Sequence, residues 1–249
     1  MAYRRANRSR TIRRAVRSIA VARRPVECAI LKERINAAPP TPAAAGTLIE
    51  TLARAIGFAH QCGIIHRDLK PTNILMATTD PQDTQKLKRR SSGTWNSGSE
   101  WLRSVSPKIT DFGLAKRVDD DSGQTNTGTI LGTPNYMSPE QASGRVHDIG
   151  PASDIYALGV MLYEMLVGRP PFRGGSAIEI IRQVIEVDPV PPRQLEPRVP
   201  LDVETICLKC HAKQPERRYA TAEDLADDLH RFLHNEPILA RPISLTERT

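Results

Sequence analysis

Aromatic side chains make up only 4% of this 249-residue chain, and there are just four cysteines. So few cysteines argue against a disulfide-built scaffold and for a reducing compartment, so a cytoplasmic location is expected. Long hydrophobic runs are missing too. The longest uncharged apolar stretch runs from Ile155 to Tyr163 and is broken by Glu164. A membrane helix needs about 20 such residues, so no membrane segment is expected. Residues 1–24 contain no acid, against nine arginines. Taking those nine from the net charge of +7 leaves −2, so the basic character belongs to a terminal arm and not to a folded face. Such an arm resembles an organelle transit peptide, or a tether for nucleic acid or anionic lipid. The plainer reading is a segment without structure, and nucleic acid is not expected as a partner. No apolar core follows the arginines, so a secretory signal is not expected either.

Cys207 and Cys210 lie in "CLKCH", which matches the c-type haem attachment pattern. The stretch "LDVETICLKCHAK" around them reads as an amphipathic helix, with Ile206 and Cys210 four apart on one face. No second ligand pair has the spacing of a zinc site, so buried helix cysteines are the expected reading.

The chain divides by composition. Residues 1–46 join the Arg-rich arm to "NAAPPTPAAAG", a Pro/Ala linker that regular structure cannot occupy throughout. From Thr47 the pattern becomes helical, opening on the capping-box sequence "TLIE" and ending near Gly63. "GII" and "NILM" read as short strands on either side of a polar loop. Residues 77–107 are rich in Ser, Thr, Gly and Lys and read as a disordered insertion. "PKIT" gives another strand. "SDIYALGVMLYEMLVG" is apolar on most faces, which marks a buried helix stopped by Gly168. Capped helices open at "SAIE" (176–179), reaching about Val187, and at "TAED" (221–224), reaching about Leu233. Residues 241–249 form a tail. The expected class is mostly α with a few short β strands near the polar loops.

The polar loop "IIHRDLKPTN" holds the chemistry. Phosphoryl transfer needs a carboxylate to receive the attacking hydroxyl's proton, oxygen ligands for Mg²⁺, and cations to offset phosphoryl charge. Asp68 suits the first role and Lys70 the last. Asn73 and Asp111 offer the hard oxygens that Mg²⁺ prefers. Any one of these alone is an ordinary loop residue.

Together, "HRDLKPTN" resembles the catalytic loop of protein kinases, and Asp111-Phe112-Gly113 resembles their metal-binding loop. "GTPNYMSPE" (132–140) is similar to the end of an activation segment. "SDIYALG" is similar to the start of the large central helix, and "PERRY" to the segment carrying a paired arginine. The resemblance covers about residues 47–240 and is strongest to bacterial serine/threonine kinases, Lys70 being the serine/threonine variant. It implies the C-terminal lobe of a kinase fold, ATP and Mg²⁺ as cofactors, and a protein substrate with a Ser or Thr acceptor. By the same resemblance Asp68, Lys70 and Thr133 are catalytic, and Asn73 and Asp111 bind the metal. His66, Arg67, Phe112 and Gly113 support the loops. Asp154 holds the catalytic-loop backbone, and Arg218 pairs with Glu140. Thr125, Thr127 and Thr129 are candidate phosphosites, whose phosphate would pair with Arg67.

One part of the pattern is not found. Between Met1 and Asp68 the glycines are Gly46, Gly57 and Gly63, and none belongs to a G-x-G-x-x-G loop. Lys32, in "CAILKE", is the one lysine there and echoes the family's strand lysine with an extra residue between. An N-terminal lobe of five strands and a helix needs roughly 60 residues. Two expectations follow. Residues 1–249 alone transfer little phosphate, and a docking partner takes the place of the N-lobe. The alternative reading is a non-catalytic kinase-fold scaffold that binds proteins.

Overall fold

The computed structural model describes residues 28–37, 39–78, 105–112 and 134–240, and the fold is given for these. Three strands form an antiparallel sheet in the order β1 (Cys28–Ile30), β2 (Ile74–Thr78), β3 (Val105–Ile109). Ala29 pairs with Met76, and Leu75 pairs with Lys108. The rest is helical: α1 (Leu31–Ala37), α2 (Pro42–Gln61), α3 (Pro139–Ala142), α4 (Pro151–Val167), α5 (Ala177–Glu186), α6 (Pro192–Leu195), α7 (Leu201–Cys210) and α8 (Ala222–Leu233).

α4 is the axis of the core. Every residue from Ser153 to Leu166 is buried, as its nearly uniform apolar sequence requires. Against it pack α2, through Leu48, Leu52 and Ile56, and α7, through Val203 and Ile206. α8 lies along α2. Gly168 stops α4 at φ 76°, a left-handed conformation that suits glycine. The expected Ser176 and Thr221 caps are present, accepting from the N–H groups of Glu179 and Asp224 at 3.2 and 3.0 Å.

Three expectations need correction. Residues 28–37 and 42–46 are not structureless: they hold β1, α1 and the start of α2, and Leu31 and Ile35 of α1 are buried in the common core. α2 begins at Pro42 and not at Thr47. Thr41 accepts from the Ala44 N–H at 3.3 Å, and Pro42 takes the first helical position, where its missing donor costs nothing. The "GII" stub forms only an isolated bridge at Ile64, whereas "NILM" and "PKIT" do lead into β2 and β3. Most of the insertion read at 77–107 lies outside the described residues.

The "CLKCH" stretch closes α7, with Cys207, Cys210 and His211 buried. Burial pushes the Cys207 thiol well above its ordinary range and the Cys210 thiol up to about 12. The Cys207 carbonyl accepts from Nδ1 of His211 at 2.7 Å. Among the described residues no group of three or more His, Cys, Asp or Glu is placed to hold a metal ion. These side chains pack the α4–α7 contact. No described helix is long and apolar enough to cross a membrane.

Candidate active site

The candidate catalytic loop enters from the end of α2, where Gly63 turns the chain at φ 74°, and leaves through a 3₁₀ turn at Pro71–Asn73 into β2. A long helix and a short strand therefore hold its ends. Between them the backbone is pinned from below by α4. The buried Asp154 carboxylate accepts the N–H of His66 at 2.8 Å through Oδ2 and the N–H of Arg67 at 2.8 Å through Oδ1. His60 Nε2, from the last turn of α2, meets the same Oδ2 at 2.8 Å. Arg67 adopts φ 69°, a conformation that costs a non-glycine residue of order 1–3 kcal/mol.

Asp68 follows directly. Its carboxylate accepts from Lys70 Nζ at 3.0 and 2.8 Å. Asn73 Nδ2 donates to the Asp68 carbonyl at 2.8 Å and to Oδ2 at 3.1 Å. Both of those bonds use the amide nitrogen of Asn73, which leaves its Oδ1 as an oxygen donor for a cation. The Asn73 carbonyl accepts the Thr110 N–H at 2.9 Å, which ties the loop to the end of β3. His66 reaches the same place. Its Nε2 lies 2.8 Å from the Thr110 carbonyl, and its ring meets Phe112 edge-on at 4.7 Å. Asp111, between Thr110 and Phe112, is exposed at φ 61°. The structure thus brings Asp68, Lys70, Asn73, His66, Phe112 and Asp111 to one end of the sheet, where β2 begins and β3 stops.

A buried ion pair backs this site. Arg218 donates to Glu140 through NH1 at 2.9 Å and NH2 at 2.8 Å. Ser153 Oγ donates to Glu140 Oε1 at 2.6 Å. Burial raises the Glu140 carboxyl, but the Arg218 guanidinium and the serine hydroxyl outweigh it and hold the group below the ordinary carboxylate range.

Gly113, Thr125, Thr127, Thr129 and Thr133 lie outside the described residues. Lys32 sits on α1 and not on a strand. It pairs with the buried Glu164 of α4, which also accepts from Tyr136 at 2.6 Å. Sequence reading missed this cluster, although a lone carboxylate in the most apolar helix was its signal. It also missed His60 and Gln141, which nothing in their local sequence marks.

The polar loop, the Asp111–Phe112 segment and the buried ion pair are thus gathered around one central helix. The protein kinase domain model matches residues 17–230, and the chain belongs to that family. The match reaches back past Thr47 into the segment that composition sets apart. Among relatives, serine/threonine-protein kinase PknB of Mycobacterium leprae is 35% identical over 213 residues, covering 85% of this chain and 30% of that protein. PknB of Mycobacterium tuberculosis (strain H37Rv) is 36% identical over 200 residues, covering 80% and 28%. PknB of Mycolicibacterium smegmatis is 35% identical over 213 residues, covering 85% and 30%. The chain spans less than a third of the length of the curated relatives it matches.

Proposed function

We propose that this chain is the catalytic region of a cytoplasmic serine/threonine protein kinase, which transfers the γ-phosphate of ATP to a protein hydroxyl. The observation that carries the reading is the convergence of Lys70 and Asn73 on Asp68. Asp68 receives the hydroxyl proton as the nucleophile attacks. Lys70, within 3.0 Å of that carboxylate, offsets negative charge on the transferring group. Asn73 keeps Asp68 in place through its Nδ2 and offers Oδ1, with the Asp111 carboxylate, to Mg²⁺. This donor set suits a hard cation, and Mg²⁺, when bound, offsets phosphate charge. Thr133 contacts Asp68 and Lys70 in this reading, on its sequence motif alone. The free thiols of Cys62, Cys207 and Cys210 support the cytoplasmic location.

Phosphorylation at Thr125, Thr127 or Thr129 belongs to the same reading. Its support is Arg67, whose Nε is buried with no hydrogen-bond partner among the described residues. A phosphate there would order the segment through that guanidinium.

Residues 1–68 contain no G-x-G-x-x-G loop, and this reading assigns the clamp on the ATP phosphates to a docking partner. This absence also favours a second reading, a kinase-fold scaffold that binds proteins without transfer. The test is transfer from labelled MgATP to a basic protein, using residues 1–249, Asp68→Asn and Asp111→Ala. The kinase reading expects transfer that falls by about 10²–10⁴ in Asp68→Asn. No transfer from a well-folded parent chain, with or without added partner, would favour the scaffold.

A further inference from the structure

The residue just before the base, Arg67, is gripped on both of its peptide units. Below it, Asp154 accepts the Arg67 N–H at 2.8 Å. Above it, Gln141 Nε2 donates to the Arg67 carbonyl at 2.7 Å. Arg67 is the residue at φ 69°. An unfavourable backbone geometry persists only where its surroundings over-determine it. A hydrogen bond on its N–H and another on its C=O supply that.

The two grips share one foundation. Gln141 follows Glu140, and Asp154 follows Ser153. Glu140 and Ser153 are joined at 2.6 Å inside the Arg218 ion pair. The buried pair therefore fixes the distance between the two side chains that hold Arg67. Gln141 is itself held at its other end. Its Oε1 accepts the Ser138 N–H at 3.0 Å and the Ser138 hydroxyl at 3.2 Å, closing the capping box of α3. One amide group thus spans from the Ser138–Pro139–Glu140 segment to the catalytic loop, with its oxygen on the cap and its nitrogen on Arg67.

We infer that Gln141 is a positioning residue, which fixes the Arg67–Asp68 peptide and thereby the aim of the Asp68 carboxylate. A cap alone does not need glutamine, since glutamate closes the same box. The extra N–H donor is what glutamine adds. Its removal frees the Arg67 carbonyl and leaves the Arg67–Asp68 peptide held only through the Asp68 N–H, which donates to His66 Nδ1 at a long 3.3 Å. The inference rests on the reading of Asp68 as the base, but the bond and its local effect do not.

The test compares the full chain with Gln141→Glu, which keeps the cap acceptor and loses the donor, and Gln141→Met, which loses both. Hydrogen exchange of peptides spanning 64–73 is read by mass spectrometry alongside the melting midpoint. The expected result is at least tenfold faster exchange in 64–73 for both variants, with Gln141→Glu melting within a few degrees of the parent. In parent protein that transfers phosphate, kcat falls about tenfold in both variants while KM stays within about twofold. Unchanged exchange in Gln141→Glu overturns the inference, whether or not the parent is active. Loosening in Gln141→Met alone does so as well, because it assigns the effect to the cap. Loosened exchange in a parent that transfers nothing would leave the clamp standing and count against the kinase reading only.

Discussion

Arg218 meets Glu140 through two parallel hydrogen bonds, 2.9 and 2.8 Å long, and neither side chain touches solvent. Such a pair is costly to break from one side, because the survivor stays buried and unpaired. Glu140→Gln is expected to lose about 3–5 kcal/mol of stability in urea unfolding at neutral pH. The pH dependence has a definite sign. The Glu140 pKa is depressed in the folded state, so its contribution is full above the ordinary carboxylate value of about 4.3. It is lost as pH falls through the lower folded value. The gap between parent and variant should therefore hold from pH 8 to about 5 and close only in stronger acid. A gap below about 1 kcal/mol at pH 7 would mean that the pair contributes little.

His211 titrates in a different window. Burial drives its pKa down to about 4, although its hydrogen bond to the Cys207 carbonyl works the other way. The charges of Lys213 and Arg218 lower it further. Between about pH 6.5 and 4 the unfolded chain binds a proton there that the folded chain refuses. Stability should fall across this range by up to about 1.4 kcal/mol per pH unit from this group alone. Denaturant titrations of parent and His211→Gln at pH 6.5, 5.5 and 4.5 measure the slope. Equal slopes in both proteins would assign the loss to other groups.

Much of this architecture is written locally in the sequence. Ser176, Thr221 and Gly168 announce helix ends by chemistry confined to one turn, and each does so in the structure. Asp68, Lys70 and Asn73 lie within six residues, so their meeting needs only one tight loop. The start of α2 is ambiguous in sequence because two capping signals compete. "TLIE" has the right spacing, but Pro42 and the Thr41 oxygen come first, and Leu48 and Ile49 are already buried against the core. The partners that hold the catalytic loop were less legible. Gln141 is 74 residues from Arg67, and Lys32 is 132 from Glu164. Those pairings depend on how α1, α3 and α4 are stacked, which no local pattern encodes.

The thiols should separate cleanly by burial. Cys62, at the end of α2, is half-buried, whereas Cys207 and Cys210 are closed off within the α4–α7 contact. A thiolate is the reactive form, and burial suppresses it at both inner positions. Brief iodoacetamide treatment of the native chain at pH 7.5, followed by peptide mapping, should modify Cys62. Cys207 and Cys210 should react only after denaturation. Native labelling of "CLKCH" at a rate near that of Cys62 would show that α7 opens from α4.

Gly159 faces that same contact from α4, and here two effects oppose each other. Alanine is the better helix former by about 1 kcal/mol. But a Cβ at position 159 would stand 2.4 Å from the Cβ of Cys210, and 3.4 Å from the His211 ring. A Cβ cannot rotate away, so α4 and α7 must move apart. Overpacking of this kind costs typically about 1–3 kcal/mol, and this contact is far inside van der Waals distance. Packing should outweigh propensity, leaving Gly159→Ala less stable than the parent by up to about 2 kcal/mol. Adding Cys210→Ala should give no relief, because the colliding atom remains. Adding Cys210→Gly removes it and should recover part of the loss, against the cost of glycine inside α7. Urea midpoints of the four proteins decide the matter. Relief by Cys210→Ala would place the strain on the sulfur and not on the approach of the two helices.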